Sequence, residues 1–130
     1  MFTQFIDRQH KVLLTRLKGT FGQEDIAALY AAAERMVALE GVSLRSLQDF
    51  TDIEAVNIQI GRIAQQSWRP QVVPGRRRVM VVPQPEFQDI ARMFAAYQKI
   101  ADHEEPHIVP SLDEAYALLG LKNPQFEPIA

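Results

Sequence analysis

Apolar positions change period several times along the chain, and each change marks an element. Residues 11–17, Lys11-Val12-Leu13-Leu14-Thr15-Arg16-Leu17, form a short apolar run rich in strand formers and closed by Gly19. Residues 2–6 predict a second strand pairing with it as a hairpin, because residues 7–10 are polar enough to turn. From Gln23 to Glu40 the period becomes helical, with Ile26, Leu29, Tyr30, Ala33, Met36 and Val37 in one stripe. Glu24 and Asp25 fall in the first turn, where the helix dipole favours anions. Gly41 predicts a left-handed cap, with Val42 packing back. Residues 44–50 predict the next strand, less apolar than a central strand because of Arg45 and Gln48. A second helix is predicted over 57–68, with a stripe of Ile53, Val56, Ile60, Ile63 and Ala64 that Gly61 weakens. Two signals compete for its start: Thr51 with Glu54 as a capping box, and Asn57 as a simple N-cap.

Pro70, Pro74 and Gly75 make residues 69–77 a loop. Arg78-Val79-Met80-Val81-Val82 reads as a buried strand stopped by Pro83, and Pro85 suits a first helical turn. The third helix, to about Ala101, carries Phe87, Ile90, Ala91, Phe94, Tyr97 and Ala101 on one face. Residues 107–109 predict a short strand. Ser111 and Glu114 predict a capping box for a last helix over 112–119, closed by Gly120. Residues 122–130, with Pro124 and Pro128, are expected to be irregular. The order gives an α/β fold in a single domain over 1–121: four strand-helix units and a mostly parallel sheet covered by helices. Periodicity places Val79, Val81, Leu29, Ala33, Ile63, Phe87, Phe94 and Leu118 in the core. Sites in such sheets gather at the carboxyl ends of the strands, here residues 19–22, 51–57, 83–85 and 110–111.

Composition narrows the function classes. With 130 residues, 47 % hydrophobic and 23 % charged, the chain can build one core without staples. The absence of cysteine excludes disulfides, thiolate metal sites and a Cys nucleophile, and fits a reducing compartment. A net charge of −2 supplies no field for nucleic acid. Asp7 and Arg8 interrupt the first ten residues, so no signal peptide is expected. No apolar run approaches the ~20 residues of a membrane span. The expected location is cytoplasmic.

Leu17-Lys18-Gly19 ends one strand and Asp49-Phe50-Thr51 ends the next. With residues 78–83 as a core strand, Arg92-Met93-Phe94 in a helix and Ser111-Leu112-Asp113-Glu114-Ala115 opening another, residues 11–121 resemble the SpoIIAA-like fold. That group includes the STAS domains, the anti-sigma factor antagonists, and is related to lipid-binding Sec14-type domains. The resemblance implies a regulatory, non-catalytic module with a protein partner and no cofactor. The Sec14 relationship implies the alternative, a small apolar ligand or lipid. Peripheral membrane contact and a dimer are left open. In STAS antagonists an Asp-Ser pair opens the helix after the Asp49-like strand, and its serine is phosphorylated. Carrying the pattern over puts Asn57 at the Asp position and Ile58 at the Ser position. Residues 52–66 contain no Ser, Thr or Tyr. A phosphate switch adds about −2 charge at a hydroxyl, which Ile58 lacks, so the implied module has lost its switch.

The expected contact surface comprises Asp49, Thr51, Asp52, Asn57, Ile58 and Trp68. Thr51 is either a substitute phosphorylation site or a helix cap, and its spacing from Glu54 favours the cap. Asp49 and Asp52 read as paired acids or cation ligands, against a strand-end Asp held by backbone donors beside a solvated one. Trp68, with Pro70, Val72 and Val73, either exposes an apolar surface or packs its loop on the core. Asp102-His103-Glu104-Glu105-Pro106-His107 has metal-ligand residue types. However, Pro106 breaks any helix that would align its histidines, so a polar loop is expected. Arg76-Arg77-Arg78 reads as a contact for anionic lipid or a partner's acidic face, against a solvated turn, which the small size of the cluster favours. Gly19-Thr20-Phe21-Gly22 lacks the Lys and spacing of a phosphate loop and reads as a tight turn. No serine sits in a nucleophile elbow near His10, His103 or His107.

Overall fold

The computed structural model describes residues 1–41, 43–59, 61, 62, 65, 77–101 and 104–129. Six strands form one sheet: β1 Phe2–Asp7, β2 Val12–Gly22, β3 Arg45–Asn57, β4 Arg78–Val81, β5 His107–Val109 and β6 Glu127–Pro128. Their order across it is β5-β4-β3-β2-β1-β6. β1 and β2 make the expected antiparallel hairpin, with Phe2 opposite Leu17 and Asp7 opposite Val12. From β2 to β5 every pairing is parallel. The helices are α1 Gln23–Glu40, α2 Pro85–Ile100 and α3 Leu112–Leu119. Gly61, Arg62 and Gln65 are also helical.

Side-chain alternation loads both faces of the sheet. Val12, Leu14, Leu47, Val79 and Val81 pack on Ala115, Leu119 and Leu121, at and just beyond α3. On the opposite face Leu17, Phe50 and Val82 meet Ala91 of α2, while Ile6, Leu13 and Leu44 meet Met36 of α1. α1 and α2 share a face because successive crossovers of one hand step across the sheet in one direction. α3 comes back over the other face, towards β6 at the far edge.

Local signals set the helix ends as expected. Asp25 Oδ2 accepts from Gly22 N at 2.8 Å, and Ser111 Oγ accepts from Glu114 N at 3.2 Å. Gly120 adopts φ 68° and ψ 31°, the left-handed conformation that glycine tolerates best. Gly41 differs: its φ of 93° comes with a ψ of 174°, outside the left-handed helical region. Val42 lies outside the described residues.

Two strands run further than expected. β2 continues through residues 19–22, so that stretch is no tight turn, and β3 takes in residues 51–57. Neither Thr51 nor Asn57 therefore opens a helix. Pairing explains the outcome, since Lys18 lies opposite Asp52 and Gly22 opposite Asn57. A capping box satisfies two backbone donors, whereas the ladder satisfies groups along the whole stretch. Two register shifts, between Arg16 and Lys18 and between Gly19 and Thr20, each give β3 one residue more than β2.

The stretch over 122–130 is not wholly irregular either. β6 pairs with β1, placing Pro128 opposite Phe5 and Glu127 opposite Ile6. Of the expected core, Val79 and Val81 are buried, but Leu29, Ala33, Phe87, Phe94 and Leu118 are only half-buried. Ile63 lies outside the described residues. The buried positions are instead Ala32 and Met36 on α1 and Ala91, Ala95 and Gln98 on α2. On α2, small side chains bring the helix down onto the sheet, and the bulkier ones flank a cavity.

Candidate functional site

Because β2 to β5 are parallel, their carboxyl ends gather at one edge of the sheet, as expected for an α/β site. Asp49 is the last β3 residue paired with β4. Its Oδ1 accepts from Thr51 N at 3.0 Å and from Thr51 Oγ1 at 2.5 Å, and its Oδ2 lies 3.9 Å from Arg16 Nε. Asp49 is thus a strand-end carboxylate held by local donors, and the Thr51 hydroxyl serves it rather than a helix. Arg16 also stacks over Phe5, 5.3 Å from the ring centroid. Tyr116 of α3 feels the same charges: burial raises its pKa, Arg16 lowers it, and Asp49 and Asp113 raise it, for a net rise.

Exposed Thr51, Asp52 and Glu54 join Met1, Lys18, Gly19 and Thr20 around a shallow depression across β2 and β3. The structure therefore brings Asp49, Thr51 and Asp52 together. Asn57 stands exposed at the end of β3, and Ile58 after it is half-buried in the wall of a cavity. Trp68 lies outside the described residues, as do Asp102 and His103. Among the described residues no three His or carboxylate side chains are placed to hold a metal ion. No described helix is long and apolar enough to cross a membrane.

Gln84 is a participant that sequence reasoning missed. Among the described residues no strand pairs with β3 beyond Asp49 on the β4 side. There Gln84 Nε2 lies 2.9, 3.0 and 3.1 Å from the carbonyls of Phe50, Thr51 and Ile53. Its side chain makes no cap bond to α2, although it occupies the N-cap position. The one sequence signal is a Gln between two prolines where a Ser, Thr, Asp or Asn usually caps.

The cavity, of about 230 Å³, lies between α1, α2 and the sheet, with Leu29, Ile58, Phe87, Ile90 and Phe94 in its wall. Arg78 also lines it, donating from Nη2 to Gln98 Oε1 at 2.6 Å and to the carbonyl of Glu104. Burial lowers the Arg78 pKa, against the opposing influence of Tyr30 and Glu104. Arg45 and Arg77 turn instead to the end of α3, which has no basic residue in its own last turn. Arg45 Nη1 lies 2.7 Å from Leu119 O, and Arg77 Nη1 lies 2.6 Å from Leu118 O. The first residue of β3 and the residue before β4 thus supply the cations that a helix C-terminus favours. Arg77, though exposed, is therefore bonded to the protein and Arg78 opens β4 rather than a turn, while Arg76 lies outside the described residues.

This architecture is the SpoIIAA-like fold, as the sequence resemblance implied. The unphosphorylated anti-sigma factor antagonist SpoIIAA aligns with a TM-score of 0.54 at 13 % identity, over 90 % of this chain and 94 % of that one. The phosphorylated form of SpoIIAA, a Bacillus cell fate determinant, gives 0.57 at 12 % identity over 92 % and 99 %. An uncharacterised Shewanella loihica protein of the DUF3478 family, also with a SpoIIAA-like fold, gives 0.56 at 14 % identity over 92 % of each chain. At these identities the likeness is one of fold. No family model matches the chain, and no curated protein matches it.

Proposed function

We propose that the chain is a non-catalytic binding module that meets a protein partner at the carboxyl-end edge of its sheet, without phosphate control at the usual place. SpoIIAA, which shares the fold, is an anti-sigma factor antagonist with a phosphorylated form. The observation that carries the reading is Ile58. The resemblance puts Ile58 where STAS antagonists carry a serine, and Ile58 is an apolar side chain in the wall of the cavity. Exposed Lys18, Thr20, Thr51, Asp52 and Glu54 form the proposed contact surface. The test is capture from a native lysate on immobilised full-length chain. One partner should be retained by the wild type, with or without phosphatase. Asp52→Arg with Glu54→Arg should lose it while shifting stability by no more than about 0.5 kcal/mol, as exposed changes do. Retention by the double variant, or binding switched by phosphate on Thr51, would sink the proposal.

A second reading, a small apolar ligand, is favoured by the cavity between α1 and α2. Its volume of about 230 Å³ is enough for a small ligand, and apolar side chains dominate its wall. Native mass spectrometry of the purified protein tests it, the expected result being a stoichiometric mass adduct lost on denaturation.

A further inference from the structure

We propose that the cavity between α1 and α2 takes a single-chain aliphatic carboxylate, its chain among Leu29, Phe87, Ile90 and Phe94 and its carboxylate on Arg78. The inference rests on the ligand reading above and specifies the ligand's chemistry. The size argues for one chain: about 230 Å³ falls below the ~300–1,000 Å³ of drug-sized sites. The charge argues for an acid. Among the described residues of the wall, Arg45, Arg77 and Arg78 are the cationic side chains, and none is Asp or Glu. Arg45 and Arg77 hydrogen-bond to carbonyls at the end of α3, which leaves Arg78 as the cation on the α2 side.

The hydrogen bonds of Arg78 go to neutral acceptors, Gln98 Oε1 and the carbonyl of Glu104. Glu104 acts on the charge of Arg78 as well, and a half-buried guanidinium gains further from an anion held directly on its fork. Gln98 supplies the independent observation. It is 0 % exposed, and its Nε2 has no hydrogen-bond partner. The bond from Arg78 fixes its oxygen as acceptor, so the orphan is a donor. A buried donor left unmet costs about 1–3 kcal/mol. Gln98 is not itself among the described residues of the wall and meets the site through its bond to Arg78, so a carboxylate on the Arg78 fork would offer its NH₂ group an acceptor.

The test is calorimetric titration of the full-length chain with decanoate, decanol and decylamine, each kept below its micelle concentration. Decanoate should bind about tenfold or more tighter than decanol, the ratio one charge-assisted hydrogen bond supplies, and decylamine should bind weakest. Arg78→Met should erase the preference for decanoate, lowering decanoate affinity far more than decanol affinity. Gln98→Leu, which removes the orphan donor, covers the case in which Arg78→Met does not fold, and should reduce the preference. Phe94→Trp, which narrows the cavity, should weaken binding of both. Equal affinity for decanoate and decanol would overturn the carboxylate assignment and leave the apolar-ligand reading standing. Binding of none of the three would overturn both.

Discussion

Asp7 is a buried carboxylate with three hydrogen bonds. It is 1 % exposed, and its carboxylate accepts from His10 N at 2.9 Å, His10 Nδ1 at 2.8 Å and Gln125 N at 3.0 Å. Burial raises its pKa, but these bonds lower it by more, and the net value lies below 3.8. The unfolded chain, with an Asp near ~3.9, therefore binds the proton more readily than the folded one. The stabilisation is complete above about pH 5 and is lost as pH falls through the lower folded value. Asp7→Asn should cost about 1–3 kcal/mol at neutral pH, shrinking below about pH 5, as measured by urea midpoints across an acid series. The sequence showed only that residues 7–10 are polar enough to turn. The partner at Gln125 is invisible there, because hydrogen bonds across such separations follow from sheet order rather than local pattern. The arginines show the same gap: a run of like charge looks solvated until the carbonyls of Leu118 and Leu119 are folded against it.

At the scale of elements, helices with periodic stripes and caps were legible: α1, α2 and α3 fall within a residue or so of their expected bounds. The end of β3 was not, because Thr51-Asp52-Ile53-Glu54 imitates a helix start and only pairing with β2 overrules it. Helix stripes also misled about depth. Periodicity finds the face a helix turns inward, but not whether a side chain there meets the sheet or an empty space. Leu14, 1 % exposed, is packed in the cluster against α3, while Phe94 lines the cavity. Leu14→Ala should cost about 2–5 kcal/mol. Phe94→Ala should fall short of the ~3–5 kcal/mol of a fully packed phenylalanine, since much of its surface already faces space. Denaturant unfolding of the two variants side by side measures the difference, and equal losses would place Phe94 in the packed core.

For the whole molecule, alternation of strand and helix with short connections was enough to read a parallel sheet with helices packed on it. The choice of face for each helix, and the sixth strand, needed coordinates. A two-residue strand, Glu127–Pro128, leaves no periodicity to detect. It forms because β1 offers an open edge and because Gln125 and Arg8 hold the chain there, Arg8 Nη1 reaching Glu127 Oε2 at 2.9 Å. Asp49, Thr51 and Asp52 stand at the carboxyl-end edge of the sheet, but in a strand rather than in a loop that opens a helix, with Thr51 and Asp52 exposed and Asp49 buried.

That strand has a further consequence at high concentration. A stretch of β3 that outruns its neighbour shows bare carbonyls to any extended chain, and unguarded edges of this kind template aggregation. The amide of Gln84 sits across three of those carbonyls, at Phe50, Thr51 and Ile53, like a stopper in the growing end of the sheet. Gln84→Ala should therefore fold with little change in unfolding midpoint yet polymerise edge to edge. Light scattering and thioflavin fluorescence should rise on concentration, where the wild type stays clear.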